Sequence, residues 1–390
     1  MRVEESRREV EVTSGHDATT PRAPHRATCE TQVEASLRRG TSASLGGHPD
    51  HAAPPTAHPH EAPARHTIAA SSPRLVTVRR GSCYAPRAMA FGRGKVILLG
   101  EHGVVYGHPA LAAGLGVGVH ATARVSESQD DVIVARPWGV TARVGSDEPL
   151  ALGLQAILEG MPSDRQSVHV EVDVDLPGGA GLGCSAAIGV AVTGALDALF
   201  SIERTDEERG DYSLRWERVF HGNPSGVDNA MAAVGGVALF RRGQPLQTVR
   251  AKKPLPLVIA HSGESSSTKE IVAMVARQRE AETQRVDEAF EAIAALVNNA
   301  KLAVEAGDLK ALGQLFDLNQ MLLAGLMLST EKIEELCRVA REEGALGAKL
   351  TGAGAGGCMI ALAKDEADAE RIREALAKRS PLTLVAMAGA

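Results

Sequence analysis

The run Pro177-Gly178-Gly179-Ala180-Gly181-Leu182-Gly183-Cys184-Ser185-Ala186-Ala187 constrains this chain more than any other stretch, because it crowds glycines, a hydroxyl and a helix start into one turn. The alternating segment from Val168 to Leu176 predicts a strand running in, and Ile188 to Phe200 predicts a helix running out. Glycines let backbone N–H groups turn toward one point without Cβ interference, and the first turn of a helix adds unpaired donors and partial positive charge. An anion is the ligand such a turn suits. By itself it is equally well a tight connection. A dinucleotide site is the rival, since Gly181 to Ala186 fits G-x-G-x-x-A and Glu203 lies about twenty residues on. The Walker-type G-x-x-x-x-G-K-[ST] loop is absent.

Two distant segments also look built to hold charge. Gly94-Lys95-Val96-Ile97-Leu98-Leu99-Gly100-Glu101-His102-Gly103-Val104-Val105-Tyr106-Gly107 places a short buried strand, Val96 to Leu99, between Lys95 at one end and Glu101-His102 at the other. A lone lysine or histidine is more often a solvated flank or a structural group, but three such residues around one strand favour a site. Lys349-Leu350-Thr351-Gly352-Ala353-Gly354-Ala355-Gly356-Gly357-Cys358 matches G-x-G-x-x-G, yet a strand is predicted after it where a dinucleotide site needs a helix. In Glu217-Arg218-Val219-Phe220-His221-Gly222-Asn223-Pro224-Ser225-Gly226-Val227-Asp228-Asn229, Pro224 and Gly226 predict a rigid irregular turn that aims Asp228, the candidate base. Glu217, on the helical segment before it, brings a second carboxylate, and a hard cation such as Mg²⁺ takes one or two such oxygens beside phosphates and water.

Taken together, these segments resemble the GHMP kinase superfamily, and within it are most similar to the mevalonate kinase family. The first motif runs from Gly94 to Gly107, the second from Leu176 to Ala187 and the third from Lys349 to Cys358, and the similarity spans roughly Phe91 to Ala390. The subfamily leans on His221 to Asn229, on the form of the first motif, and on Ser265-Ser266-Ser267-Thr268-Lys269-Glu270. The resemblance implies an α+β, two-lobed fold, with a ribosomal-protein-S5-like N-terminal domain and a ferredoxin-like C-terminal domain. It implies phosphoryl transfer from ATP to the 5-hydroxyl of mevalonate, in isoprenoid biosynthesis, with Mg²⁺ as cofactor. It makes Asp228 and Lys95 the catalytic pair and Ser185 and Glu217 the metal ligands. Gly179, Ala180, Gly181, Leu182, Gly183, Cys184 and Ser185, with Gly352, Gly354 and Gly356, become the ATP-binding residues. Glu101, His102 and Thr268 fall where the family meets its acceptor or supports the catalytic pair.

Two departures stand out. Cys184-Ser185 replaces a pair of serines, leaving the metal-binding one in place, and Arg93-Gly94-Lys95 replaces Pro-Gly-Lys, which makes Arg93 a candidate for an anionic contact. Other kinases of the superfamily acting on phosphomevalonate, galactose or homoserine remain alternatives, as do a related decarboxylase and a non-catalytic ligand-sensing relative. All four of Lys95, Ser185, Glu217 and Asp228 are present, which disfavours the non-catalytic relative.

The formal charge of −6 leaves no basic surplus for nucleic acid, and no apolar run of about eighteen residues suggests a membrane span. Five cysteines without C-x-x-C spacing point to a reduced, cytoplasmic setting rather than a disulfide framework. Residues 1–86 hold one aromatic residue, Tyr84, and no sustained apolar periodicity, so they are expected to be a disordered tail, or else a misassigned start ahead of Met89. Seven of the thirteen histidines lie there at irregular spacing, read as incidental composition rather than a metal site. Residues 87–250 are expected to form the N-terminal ATP-binding domain and 251–390 the C-terminal domain. ATP and mevalonate are the expected partners, with no nucleic acid and no membrane, and a homodimer is the assembly left open.

Overall fold

The computed structural model describes residues 87–389 except 179, 222, 223 and 225. The expected tail, 1–86, and the ATP-binding assignment of Gly179 lie outside the described residues. The chain is α+β and two-lobed. In the first lobe β1 (Ala88–Leu99), β2 (Ala110–Val125), β3 (Val132–Ala135), β4 (Val140–Arg143), β5 (Val168–Val174), β6 (Val237–Phe240) and β7 (Gln247–Val249) form a twisted sheet. It is covered by α1 (Pro149–Leu158), α2 (Cys184–Phe200), α3 (Asp206–His221) and α4 (Val227–Val234). In the second lobe β8 (Leu255–His261), β9 (Gly347–Thr351), β10 (Cys358–Leu362) and β11 (Leu382–Ala388) pair antiparallel in the order β11-β8-β10-β9. With α5 (Thr268–Ala281), α6 (Thr283–Ala306), α7 (Leu309–Gly325), α8 (Glu331–Glu342) and α9 (Glu366–Ala377), that order is the ferredoxin-like arrangement.

Pattern dictates these elements closely. In β5 the valines at 168, 170 and 172 are buried while the residues between them are half-buried, as alternation requires of a strand with one face on the core. In α8, Ile333, Leu336, Cys337 and Ala340 fall on one buried face, and the Thr330 hydroxyl caps the helix by accepting from the Ile333 amide. The Gly307-Asp308 break ends α6 with a left-handed glycine and starts α7, whose first turn is capped by Asp308 accepting from the Ala311 amide at 3.0 Å. The first motif's strand, expected over Val96 to Leu99, extends back to Ala88, because the glycines that hide a strand pattern here pair with the equally glycine-rich β2.

Helix α2 is buried on nearly all sides between the sheet and α3. It receives the indole of Trp216 only because residue 189 lacks a side chain. A Cβ at Gly189 would lie 2.9 Å from Trp216 Cγ, and one at Gly153 on α1 would lie 2.6 Å from Cε3. The two glycines forgo about 1 kcal/mol of helix propensity each relative to alanine and in return seat a large aromatic between three helices.

The long strand β2 ties the molecule together. It pairs along its length with β1, β5 and β6, and Leu115 pairs with Ala388 of β11, so the two sheets are continuous. Among the described residues no helix is long and apolar enough to cross a membrane.

Candidate active site

A cleft of about 300 Å³ opens between the lobes, and the three motifs meet at it. The strand β1 carries a register shift between Arg93 and Lys95. Such a bulge re-aims a side chain, and here Lys95 turns into the cleft with its stem against Gly183. A Cβ on Gly183, itself at φ 74°, would lie 3.0 Å from Lys95 Cγ, and the Lys95 amide donates to the Leu182 carbonyl at 2.9 Å. The lysine is thus fixed to the glycine turn by stem and backbone. Arg93 instead lies against Gly235, with its guanidinium 5.7 Å from the Phe91 ring centroid.

Lys95 Nζ stands 3.3 Å from Asp228 Oδ1. The lysine side chain is 9% exposed and the aspartate 44%, so the cation is held in place while the carboxylate stays reachable. Asp228 does not sit on an irregular turn. Gly226, at φ 81°, caps α4 and places Asp228 in its first turn, where a negative charge meets the positive end of the helix. The helix that Gly226 starts is only eight residues long, too short for its apolar spacing to stand out from the turn signal of Pro224 and Gly226.

Ser185, in the first turn of α2, donates to Glu217 Oε1 at 2.5 Å, and His221 Nε2 lies 3.5 Å from Glu217 Oε2. Burial pushes the Glu217 carboxyl above the usual range and Asp228 adds to this, against the pull of Ser185 and His221. A hydroxyl beside a buried carboxylate, both facing the glycine turn, is a donor set suited to a hard divalent cation that also takes phosphate oxygens and water. Among the described residues no group of three or more His, Cys, Asp or Glu side chains forms a self-contained metal site.

Gly178 and Ala180 to Ser185 line the cleft, with Gly181 and Gly183 left-handed at φ 73° and 74°. From the third motif Gly352 and Ala353 line it, whereas Gly354 and Gly356 do not. A Cβ at Gly354 would lie 2.4 Å from the Leu328 carbonyl oxygen, and one at Gly356 2.8 Å from that of Glu264. These two glycines seat the loop on the second lobe. His102 and Thr268 line the cleft as well. His102 is a non-glycine residue at φ 59°, and its Nε2 lies 2.8 Å from the Ala353 carbonyl oxygen. A carbonyl only accepts, so Nε2 carries the proton and Nδ1 is left as acceptor. Burial pushes the imidazole below its usual value despite Ala353 and Glu101, which keeps it neutral at pH 7. Glu101 borders the cleft, but its carboxylate is engaged by Lys349 and Asn319.

Sequence reasoning missed the apolar wall, made of Trp138, Leu150, Ile188, Trp216 and Phe220. These residues come from four different elements, so no local spacing joins them. A second cavity of about 550 Å³ shares Lys95 and Asp228 with the first and is bounded by Val104, Val227, Phe240 and Arg242. The Lys95–Asp228 pair therefore stands where two cavities meet.

The family "GHMP kinases N terminal domain" matches residues 150–237 and "GHMP kinases C terminal" matches 293–382. The chain is 36% identical over 308 residues to the mevalonate kinase of Thermococcus gammatolerans, covering 72% of this chain and 90% of the relative. It is 37% identical over 302 residues to that of Pyrococcus horikoshii, covering 70% and 88%. Among solved structures, L. major mevalonate kinase in complex with R-mevalonate superposes with a TM-score of 0.67 at 28% identity, over 77% of this chain and 95% of that one. Lactococcus lactis galactokinase, at 19% identity and a TM-score of 0.62, shares the fold.

Proposed function

We propose, from the premise that this chain belongs to the mevalonate kinase family of the GHMP kinases, a division of labour among the side chains around the cleft. The protein is an ATP-dependent small-molecule kinase that transfers the γ-phosphoryl of ATP to the 5-hydroxyl of mevalonate, giving 5-phosphomevalonate and ADP. The observation that carries the assignment of roles is the Lys95–Asp228 pair at 3.3 Å, set beside a glycine turn that opens a helix. The backbone N–H groups of 180–185 and the N-terminus of α2 bind the triphosphate. Ser185 and Glu217 would hold Mg²⁺, which would supply neutralisation of charge developing on the phosphates.

Asp228 accepts the proton of the acceptor hydroxyl. Lys95, paired with that carboxylate, stabilises the oxygen as it turns nucleophilic. Transition states of this kind are loose and place charge on oxygens, so positioning and electrostatics supply most of the rate. His102 and Thr268 meet the acceptor, His102 through the Nδ1 left free to accept from a substrate hydroxyl. Glu101 supports them from behind. Residues 87–250 form the ATP-binding domain in this reading and 251–390 the domain that completes the cleft.

A coupled ADP-release assay with mevalonate, phosphomevalonate, galactose and homoserine tests the substrate. Turnover is expected with mevalonate, and preference for another acceptor would overturn the reading. The metal assignment has its own test, in the pH dependence of stability. The folded-state pKa of Glu217 lies above its unfolded value, so its protonated form contributes stability that is present at low pH and lost as pH rises through the raised value. Mg²⁺ with ATP binds the ionised form, so the Tm increase it gives is expected to grow with pH over that window. In Glu217→Gln the increase should be smaller and flat with pH; a wild-type pH profile in that variant would remove Glu217 from the metal site.

A further inference from the structure

The seam between the lobes holds a charge pair of which phosphoryl transfer as described uses only the carboxylate. Lys349, in the middle of β9, and Glu101, just after β1, form an ion pair with both side chains 0% exposed. Lys349 Nζ donates to Glu101 Oε1 and to the Leu350 carbonyl, and Asn319 Nδ2 on α7 donates to Glu101 Oε2 at 3.0 Å. Burial pushes the Lys349 ammonium below its usual value, and Glu101 opposes the shift.

A pair this dry is a poor source of stability, because desolvation of two charges offsets most of their attraction, and apolar side chains of the same size would fill the space as well. What the pair does provide is direction. Its partners are joined to the cleft on both sides. Glu101 precedes His102, which is held at φ 59° and donates to Ala353; Lys349 stands two residues before Thr351, whose Oγ1 accepts from the Ile97 amide at 3.1 Å and donates to its carbonyl at 3.0 Å. Ile97 is in turn two residues from Lys95. The stretches 95–102 and 349–353 are thus stitched across the seam at three points, and the charged stitch is the one that fixes the residue ahead of His102.

We propose that Lys349 is a positioning residue for phosphoryl transfer: its ammonium anchors Glu101, and Glu101 holds His102 against Ala353, so that the 352–357 loop closes on the cleft at a set distance from Lys95. This rests on the reading of the cleft as a kinase site. Lys349 lines neither cavity and acts through its neighbours.

The test uses the full chain and two variants. Lys349→Met keeps the stem and strands a buried carboxylate, so it loses Tm along with activity. Lys349→Met combined with Glu101→Gln removes both charges and leaves residue 101 able to accept from Asn319. The double variant is expected to recover Tm while kcat stays down about 10²-fold, the scale of a misplacement of about 1 Å, with the KM for ATP little changed. The imidazole ¹⁵N resonances of His102 should move in both variants. Wild-type kcat in either variant, or recovery of kcat together with Tm in the double variant, would overturn the proposal and leave the pair without a positioning role. Should the wild type fail to turn over mevalonate, the reaction falls separately, and unmoved His102 resonances in Lys349→Met would then overturn the positioning role.

Discussion

Asp228→Asn is expected to lower kcat about 10²- to 10⁴-fold, the usual contribution of a well-placed general base. The carboxamide keeps the shape of the first turn of α4 but cannot take a proton from the acceptor hydroxyl. On the barrier this loss amounts to about 3 to 5 kcal/mol. Nucleotide affinity should change little, because the proposed role of gripping the triphosphate falls to backbone groups of the glycine turn rather than to Asp228. The measurement is steady-state kinetics with mevalonate and MgATP, with Tm as a control for folding. Near-normal turnover would end the role of Asp228 as base.

Lys95→Met is expected to cost about 10²- to 10³-fold in kcat, the range seen when one preorganised donor is removed from a developing negative charge. Methionine preserves most of the stem that packs against Gly183, so the glycine turn should keep its shape and the KM for ATP should rise less than kcat falls. Lys95→Arg is an informative companion, since a planar fork does not fit a space shaped for a compact ammonium, and it should rescue little. An unchanged kcat in Lys95→Met would remove the lysine from the chemistry and leave it as support for the turn.

Much of this site was legible in the sequence because its chemistry is local. Lys95, Ser185, Glu217 and Asp228 each belong to a short segment whose glycines or helix start mark it, and the structure brings the four to one cleft. The helices of the second lobe were legible for a related reason: apolar spacing and a glycine stop such as Gly307 are written within a few turns. Less was legible where meaning depends on what arrives from elsewhere. Gly354 and Gly356 read as phosphate-binding glycines, yet Leu328 and Glu264, remote in sequence, require them to be small. Lys349 read as the first letter of a motif, and only the approach of Glu101 and Asn319 reveals a buried cation. Helix α4 was hidden by its brevity, β1 and β2 by glycines that weaken strand alternation.

Trp138 and Trp216 are the two tryptophans of the chain, and both line the cleft. The intrinsic fluorescence of the protein is therefore an optical signal from the catalytic chamber itself, undiluted by indoles elsewhere. Nucleotide entry, exchange and departure can be followed in real time without a dye, and the indole of Trp216, wedged between Gly153 and Gly189, supplies a rigid reference against which changes around Trp138 stand out.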